Sequence, residues 1–493
     1  MPSAAHSRVP SAPQPPGFRM PPAAQVARLM ADPLGFYEAG RRRFGPIFTL
    51  RYPGLPPEVC VATAELAEEV FATDGGPGRA GEMRRAFIGP LVGEESLLCL
   101  DGDPWWRHRR LVSPPLHGRA VASWADRIAE IAVAEAARWP VGVAMPLRPA
   151  MERITLEVII RVVFGIEDAR RLGALRTLLP RLMRLAGSAA LVRIPPNARE
   201  RALASPLLLR AGVLPTTRYV RARDEVDAIL YDEIARRRAE PDATAGASDV
   251  LSQLVAARDE EGAPLTGREI RDELMTLLAA GHETTATSLA WTFERLVRTP
   301  HAMDSLVAEL TSGPSAARGG SSARGDSPTG RGGSSAGRGE TSYLDAVVKE
   351  GLRARPVVLG APRLLDDTAK IGGYEIPAGW YLSASIPLVL SDPEAFPSPE
   401  LFRPERFLAE ASSPEAVARA NRAWIPFGGG RRYCAGAQLA LLEMRVVLAE
   451  VLRRVTLTAA RPEAEKRRLK NVTLVPARSA LVIARPREGG ASW

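Results

Sequence analysis

Ten residues, Phe427-Gly428-Gly429-Gly430-Arg431-Arg432-Tyr433-Cys434-Ala435-Gly436, place a cysteine after a glycine run and two arginines and just before a strong helical pattern. Successive glycines let a backbone take positive φ and approach a flat partner closely. A helix amino end and nearby arginines both favour thiolate over thiol, so Cys434 is placed to act as a ligand. No Gly-Lys-Ser/Thr follows the glycines, which excludes a phosphate-cradling loop. No second cysteine or histidine stands at ligand spacing from Cys434, which argues against zinc. The plain alternative is a small buried hydrophobe. That reading suits Cys60 in Val59-Cys60-Val61 and Cys99 in Leu98-Cys99-Leu100, where apolar neighbours surround the thiol.

A second group lies inside a helix expected from about Gly267 to Thr299, opened by the capping-box pair Thr266 and Glu269 and stopped by Pro300. Such a helix spans roughly 50 Å at its 1.5 Å rise, enough to cross a domain. Its centre reads Ala280-Gly281-His282-Glu283-Thr284-Thr285. Glycine in a helix interior costs about 1 kcal/mol, and adjacent threonines are poor helix formers. Small residues there leave room for a ligand, while Glu283 and Thr284 supply a carboxylate and a hydroxyl for proton relay. The plain alternative is a threonine bonding back to a carbonyl beside an exposed glutamate. Further on, Glu350-Gly351-Leu352-Arg353 puts opposite charges at i and i+3 of a helix face, and Pro404-Glu405-Arg406-Phe407 follows.

Taken in order, these strings resemble the cytochrome P450 monooxygenases, from about Pro21 to the end of the chain. The resemblance implies haem b (iron protoporphyrin IX) with Cys434 as its thiolate ligand and Phe427 and Gly436 among the loop residues around it. It implies proton delivery by Glu283 and Thr284, and a buried network of Glu350, Arg353 and Arg406 behind the haem. Gly102 to Leu111 resembles the W-x-x-x-R segment that meets the haem propionates. Alignment on Ser113-Pro114 favours Trp105 and Arg109, with Trp106 and Arg110 as the other pair. Arg363 and Arg432 are the further propionate partners implied, since arginine forks suit carboxylates. His108 is given no role.

The fold implied is mainly helical with a minor β region, a single triangular haem domain over residues 21–493. Length alone, 493 residues, favours two to four domains. The activity implied is insertion of one oxygen atom from dioxygen into a C–H bond of an apolar small molecule such as a terpenoid, fatty acid or macrocyclic product. No flavin or iron–sulfur module is visible, so a ferredoxin with its reductase, or a flavodoxin, would supply electrons at a basic surface over the cysteine loop. Pocket segments are expected at Arg85–Leu91, within 176–216, and at Leu277–Gly281 and Val357–Gly360. The competing enzyme reading is a haem-thiolate peroxygenase, isomerase or dehydratase that does not use dioxygen.

Several elements must position these groups. Ile47–Tyr52 and Val59–Ala62 read as strands. Helical periodicity dominates from about Val121 to Leu310. Ile371–Leu390 reads as short strands around the turn Ile376-Pro377-Ala378-Gly379, Ala437–Arg454 as a helix, and Val472–Ile483 as a hairpin. Residues 312–341 are almost entirely Gly, Ser, Arg, Ala, Pro and Thr and cannot bury enough apolar area to order themselves, so a disordered insertion is expected. Met1–Pro22 is proline-rich without the apolar core of a secretory signal; a flexible segment is expected over 1–20.

Hydrophobic residues make up 46% and charged residues 25% of the chain, the balance of an ordinary globular protein. Three scattered cysteines do not make a disulfide framework, which favours a reducing cytoplasm. No apolar run reaches 18 residues, so no membrane span is expected. The net charge of +9 is carried nearly all by arginine, with lysine only at 349, 370, 466 and 470. No nucleic-acid module accompanies it, so no nucleic-acid partner is expected, and an Arg/Gly-rich RNA-binding role stands only as the competing non-enzyme reading.

Overall fold

The computed structural model describes residues 13–187, 215–240, 246–312 and 341–489. The expected insertion therefore lies, from 313 to 340, outside the described residues, as do 1–12 and the middle of the 176–216 pocket segment. Among the described residues the architecture is mainly helical with four small sheets.

Its axis is the helix Gly267–Leu296, opened by the reciprocal Thr266–Glu269 capping box. Pro300 does not simply stop it: the helix ends at Leu296, and Pro300 begins the next one, Pro300–Ser312. At 1.5 Å per residue the long helix runs about 45 Å. It packs against the helices Leu147–Val158, Tyr343–Ala354 and Ala437–Arg454. Leu274, Leu278, Leu289, Leu147, Met151, Ile154, Val447 and Leu448 meet there in one continuous core. The 3.6-residue spacing of those apolar positions is what brings them onto the facing sides.

The largest sheet has five strands in the order Ile47–Leu50, Glu58–Val61, Tyr381–Ser385, Gly360–Leu365, Gly78–Arg79. The strands expected near the start and around the Pro377 turn are present. Ile386–Val389, expected as strand, is a short helix with Pro387 in its first turn, where the missing amide is harmless.

Two further expectations are corrected. Thr473–Pro476 does not pair with the strand that follows it; it pairs with Arg467–Lys470, while Leu481–Pro486 joins Ala144–Pro146 and Val455–Ala459. Ser479 and Ala480 take φ of 64° and 55°, turning the chain between the two sheets, and their carbonyls accept from Arg148 N and Leu147 N. Residues 13–20 are not a free lead-in. Thr49 N donates to Pro16 O at 2.7 Å, and Phe18 is buried beside Phe36, Tyr37 and Phe48. Proline suits this edge because only its carbonyl is used, and Phe18 supplies the apolar anchor. Among the described residues no helix is long and apolar enough to cross a membrane.

Candidate active site

The cysteine loop is closed by a hydrogen bond from Cys434 N to Phe427 O at 3.0 Å, and the helix Ala437–Arg454 starts directly after it. Phe427 packs edge-on between Trp424 and Tyr433, with ring centroids 5.8 and 6.3 Å away. Two glycines are required by a neighbour the sequence did not point to. A Cβ on Gly429 would lie 2.3 Å from the Phe71 ring, and one on Gly430, at φ 63°, would lie 2.8 Å from Phe71 O. A Cβ on Gly436 would instead enter open space, with nothing within 4 Å. Cys60 and Cys99 are wholly buried, as expected, whereas Cys434 is only partly buried.

Burial pushes the Cys434 thiol up, and this outweighs the lowering by the Gly436 N–H and the charges of Arg109 and Arg84. The helix end and arginines do act in the expected direction, but alone they do not make the thiolate. A bound cation would.

Beside the loop lies a group of arginines. Arg109 turns inward, close enough to Cys434 and Tyr433 for their charges to oppose the fall that burial imposes on its pKa. Arg110 is exposed and pairs with Glu260. Trp105 is buried under the Arg432 guanidinium at 4.2 Å, while the Trp106 ring carries Arg431 at 5.3 Å. Arg432 Nη2 donates to Asp101 at 2.5 Å, and its Nη1 is buried without a partner. Arg363, 1% exposed, has its fork on Asp74 at 2.5 and 3.0 Å and its other terminal nitrogen on the Ala361 and Pro362 carbonyls.

Arg84, which carried no signal in the sequence beyond a double arginine, joins the group. Burial first, then Arg363, bring its pKa down to about 10, against the charges of Asp74 and Asp101. Arg84, Arg363 and Arg432 thus face Asp74 and Asp101, and Arg109 lies beside Cys434, so four arginines stand against two aspartates and two positive charges are left uncompensated. Uncompensated buried charge is unfavourable unless an anion completes it. The two propionates of a haem carry the charge that is missing. An open space at Gly436 and a partly exposed Cys434 suit a flat iron-bearing group, so the residues fit haem. The free donors lie on Arg109, Arg84 and Arg432 rather than on Arg363.

The helix Gly102–Val112, which carries Trp105 and Arg109, is tied to the long helix by His108. That side chain is buried and bonds Glu273 at 2.8 Å and Glu269 at 3.1 Å. Behind the loop, Glu350 accepts from Arg353 at 2.6 and 2.8 Å and from Arg403 N at 2.8 Å. Arg406 stands 3.5 Å from the same carboxylate and donates to the Pro397 and Ser398 carbonyls.

Glu283 and Thr284 form a second group. Thr284 Oγ1 donates to Ala280 O at 2.5 Å within an unbroken helix, the back-bonded arrangement. Glu283 is not exposed: it is ion-paired with Lys470 at 2.9 Å and Arg148 at 3.6 Å. Both cations meet the same buried oxygen, Oε1. His282 turns away to Thr155, and burial brings its pKa down to about 4.

Comparison with known proteins shows the family. The family model described as Cytochrome P450 matches residues 12–483. A protein named as cytochrome P450 135B1 from Mycobacterium bovis is 42% identical over 471 residues, covering 96% of this chain and 91% of its own length. One named as cytochrome P450 135A1 from Mycobacterium tuberculosis is 35% identical, covering 94% of each. In structure, a retinoic acid-bound cyanobacterial CYP120A1 matches 97% of this chain and 100% of its own at a TM-score of 0.76 and 24% identity, a likeness of fold.

Proposed function

The chain belongs to the cytochrome P450 family and is a haem-binding monooxygenase, and from that premise we propose that it hydroxylates apolar small molecules with Cys434 as the iron ligand and Glu283 and Thr284 as the proton path. The observation that carries the reading is the partly accessible Cys434 beside an arginine group with two uncompensated positive charges. When bound, haem supplies the activation of dioxygen and its insertion into a C–H bond.

The chain's own residues hold, orient and protonate. Arg84, Arg109 and Arg432 take the propionates, with Trp105 stacked beneath Arg432 to fix its fork. Arg363 supports them through Asp74. Glu350, Arg353 and Arg406 keep the loop in place. Glu283 takes up a proton on the side where Lys470 stands, 39% exposed in its side chain, and passes it toward Thr284 Oγ1. To pass one onward the hydroxyl must release Ala280 O, to which its single proton is donated.

Family members generally take electrons from partner proteins. Here a ferredoxin with its reductase, or a flavodoxin, is the partner proposed. It would dock over the cysteine loop, where Arg431 and Arg119 are exposed and have no carboxylate partner among the described residues. Three unbridged cysteines suit a reducing, cytoplasmic setting. A terpenoid, fatty acid or macrocyclic product is the substrate class proposed from the apolar segments Leu277–Gly281 and Val357–Gly360.

The test is Cys434→Ala. The reduced carbon monoxide complex of the parent should show the strongly red-shifted Soret band of thiolate haem, and the variant should lose it. An unchanged spectrum in the variant would sink the assignment.

A further inference from the structure

Three residues of one neighbouring segment converge on the three residues that precede Thr284. Ile159 is the side chain that faces Gly281, at 3.5 Å from the place its Cβ would occupy. Thr155 Oγ1 meets both His282 Nδ1 at 2.8 Å and His282 O at 3.1 Å. Arg148 stands 3.6 Å from Glu283. Positions 148, 155 and 159 share one helix face, at the spacing that puts successive turns on a single side.

The hydrogen bonding at Thr155 is selective. A hydroxyl has one proton, and Glu152 O at 3.3 Å is its longer alternative acceptor, so both bonds to His282 form only if Thr155 donates to the His282 carbonyl at 3.1 Å and His282 Nδ1–H donates to Thr155 Oγ1. A neutral ring is required for the remaining nitrogen to stay unprotonated in this buried place. Burial provides that, holding His282 at about pKa 4. One turn after Thr155 the helix Leu147–Val158 passes into a π turn, Ile159–Val163, with Phe164 N donating to Ile159 O at 2.9 Å. A π turn widens the helix by one residue and recurs where function demands an unusual side-chain placement. Here it falls at the residue that packs on Gly281.

We propose that Thr155, Ile159 and Arg148 are positioning residues: a clamp on Gly281–Glu283 that sets the orientation in which Glu283 and Thr284 address the reacting site. Gly281 weakens the long helix where it must leave room, and the clamp restores a defined position from outside. The carbonyl of His282 is shared between its own helix and the Thr155 hydroxyl, so this turn is held by the neighbour as well as by its own ladder. The inference rests on the reading of Ala280–Thr284 as the segment beside the reacting site.

The test uses the ferric haem-loaded protein. Thr155→Val keeps the shape and removes the hydroxyl; Thr155→Ser keeps the hydroxyl. Hydrogen exchange of the amides at Glu283–Ala286 should quicken about fivefold to tenfold in the valine variant, the effect of losing one buried hydrogen bond. It should return close to the parent rate in the serine variant. The imidazole dissociation constant, read from the Soret shift, should move in the valine variant and return in the serine variant. Unchanged exchange in Thr155→Val, or no rescue in Thr155→Ser, overturns the clamp. Uniform quickening along the whole long helix also overturns it, because that would be general loosening. None of these readouts requires Thr284 to relay protons, so failure of the relay and failure of the clamp are told apart.

Discussion

Glu350→Gln is the perturbation whose size the structure lets us work out most directly. Glu350 is wholly buried and receives three short hydrogen bonds: Oε2 from Arg353 Nε, and Oε1 from Arg353 Nη2 and Arg403 N. Glutamine keeps the shape but offers one acceptor oxygen. Whichever side its NH2 group takes, at least one donor then faces a donor. The charge is lost as well, leaving Arg353 and Arg406 buried without their counter-ion. Burial is already the largest influence lowering the Arg406 pKa, and Glu350 is the chief charge opposing it. Removing one partner of a buried pair destabilises by about 3–5 kcal/mol, a large share of the roughly 5–15 kcal/mol that holds a typical protein folded. Urea unfolding followed by far-ultraviolet circular dichroism and by Soret absorbance should show that loss, with the Soret signal failing first because the network supports the cysteine loop. Glu350→Asp, which keeps the charge on a shorter stem, should retain more haem than Glu350→Gln. Full haem loading with stability within about 1 kcal/mol of the parent in Glu350→Gln would refute the idea that this network positions the loop.

Thr284→Ala should bind haem normally yet return less product and more hydrogen peroxide per NAD(P)H, measured with a surrogate redox pair and a compound that shifts the ferric spectrum; unchanged coupling would favour a peroxygenase or isomerase. Glu283→Gln should slow turnover while leaving coupling less affected, because it removes the titratable group and keeps the hydroxyl; a larger loss of coupling than in Thr284→Ala would reverse the two roles. Glu443 is buried with an unpartnered oxygen, and burial raises its pKa from 4.5 to about 8. A raised carboxyl pKa contributes stability that is present below 4.5 and is lost as pH climbs toward about 8. Glu443→Gln should therefore gain on the parent by at most about 1.4 kcal/mol per pH unit across that window. Urea midpoints at pH 5 and pH 8 check this, and an equal difference at both would refute it.

Contiguous strings were legible in the sequence because their chemistry is local. The capping box Thr266–Glu269 opens the long helix where expected, and Ala437–Arg454 has the bounds its periodicity indicates. What escaped is what distant segments decide. The partner of Thr473–Pro476 depends on where Ser479 and Ala480 turn the chain, and nothing in the alternation of those residues reports it. Phe18 lies in a proline-rich stretch that reads as unstructured until Thr49 offers it an edge.

The glycine run shows how a reason read from sequence can be incomplete. Close approach to a flat partner was the reason read from the three successive glycines. Gly429 and Gly430, however, are demanded by Phe71, more than 350 positions earlier in the chain. The arginines teach the complementary lesson. In a chain with 65 lysines and arginines, residue type marks none of them as functional. Arg110 and Arg109 are neighbours in the same helix, yet one pairs with Glu260 at the surface and the other faces Cys434. Arg363 sits where an arginine fork was wanted, but Asp74, 289 positions away, already occupies it. The charge left over by Asp74 and Asp101 therefore falls on Arg84, Arg109 and Arg432. It is this unbalanced remainder, visible only once acids and bases are brought together by the fold, that separates an anion-binding group from the arginine background.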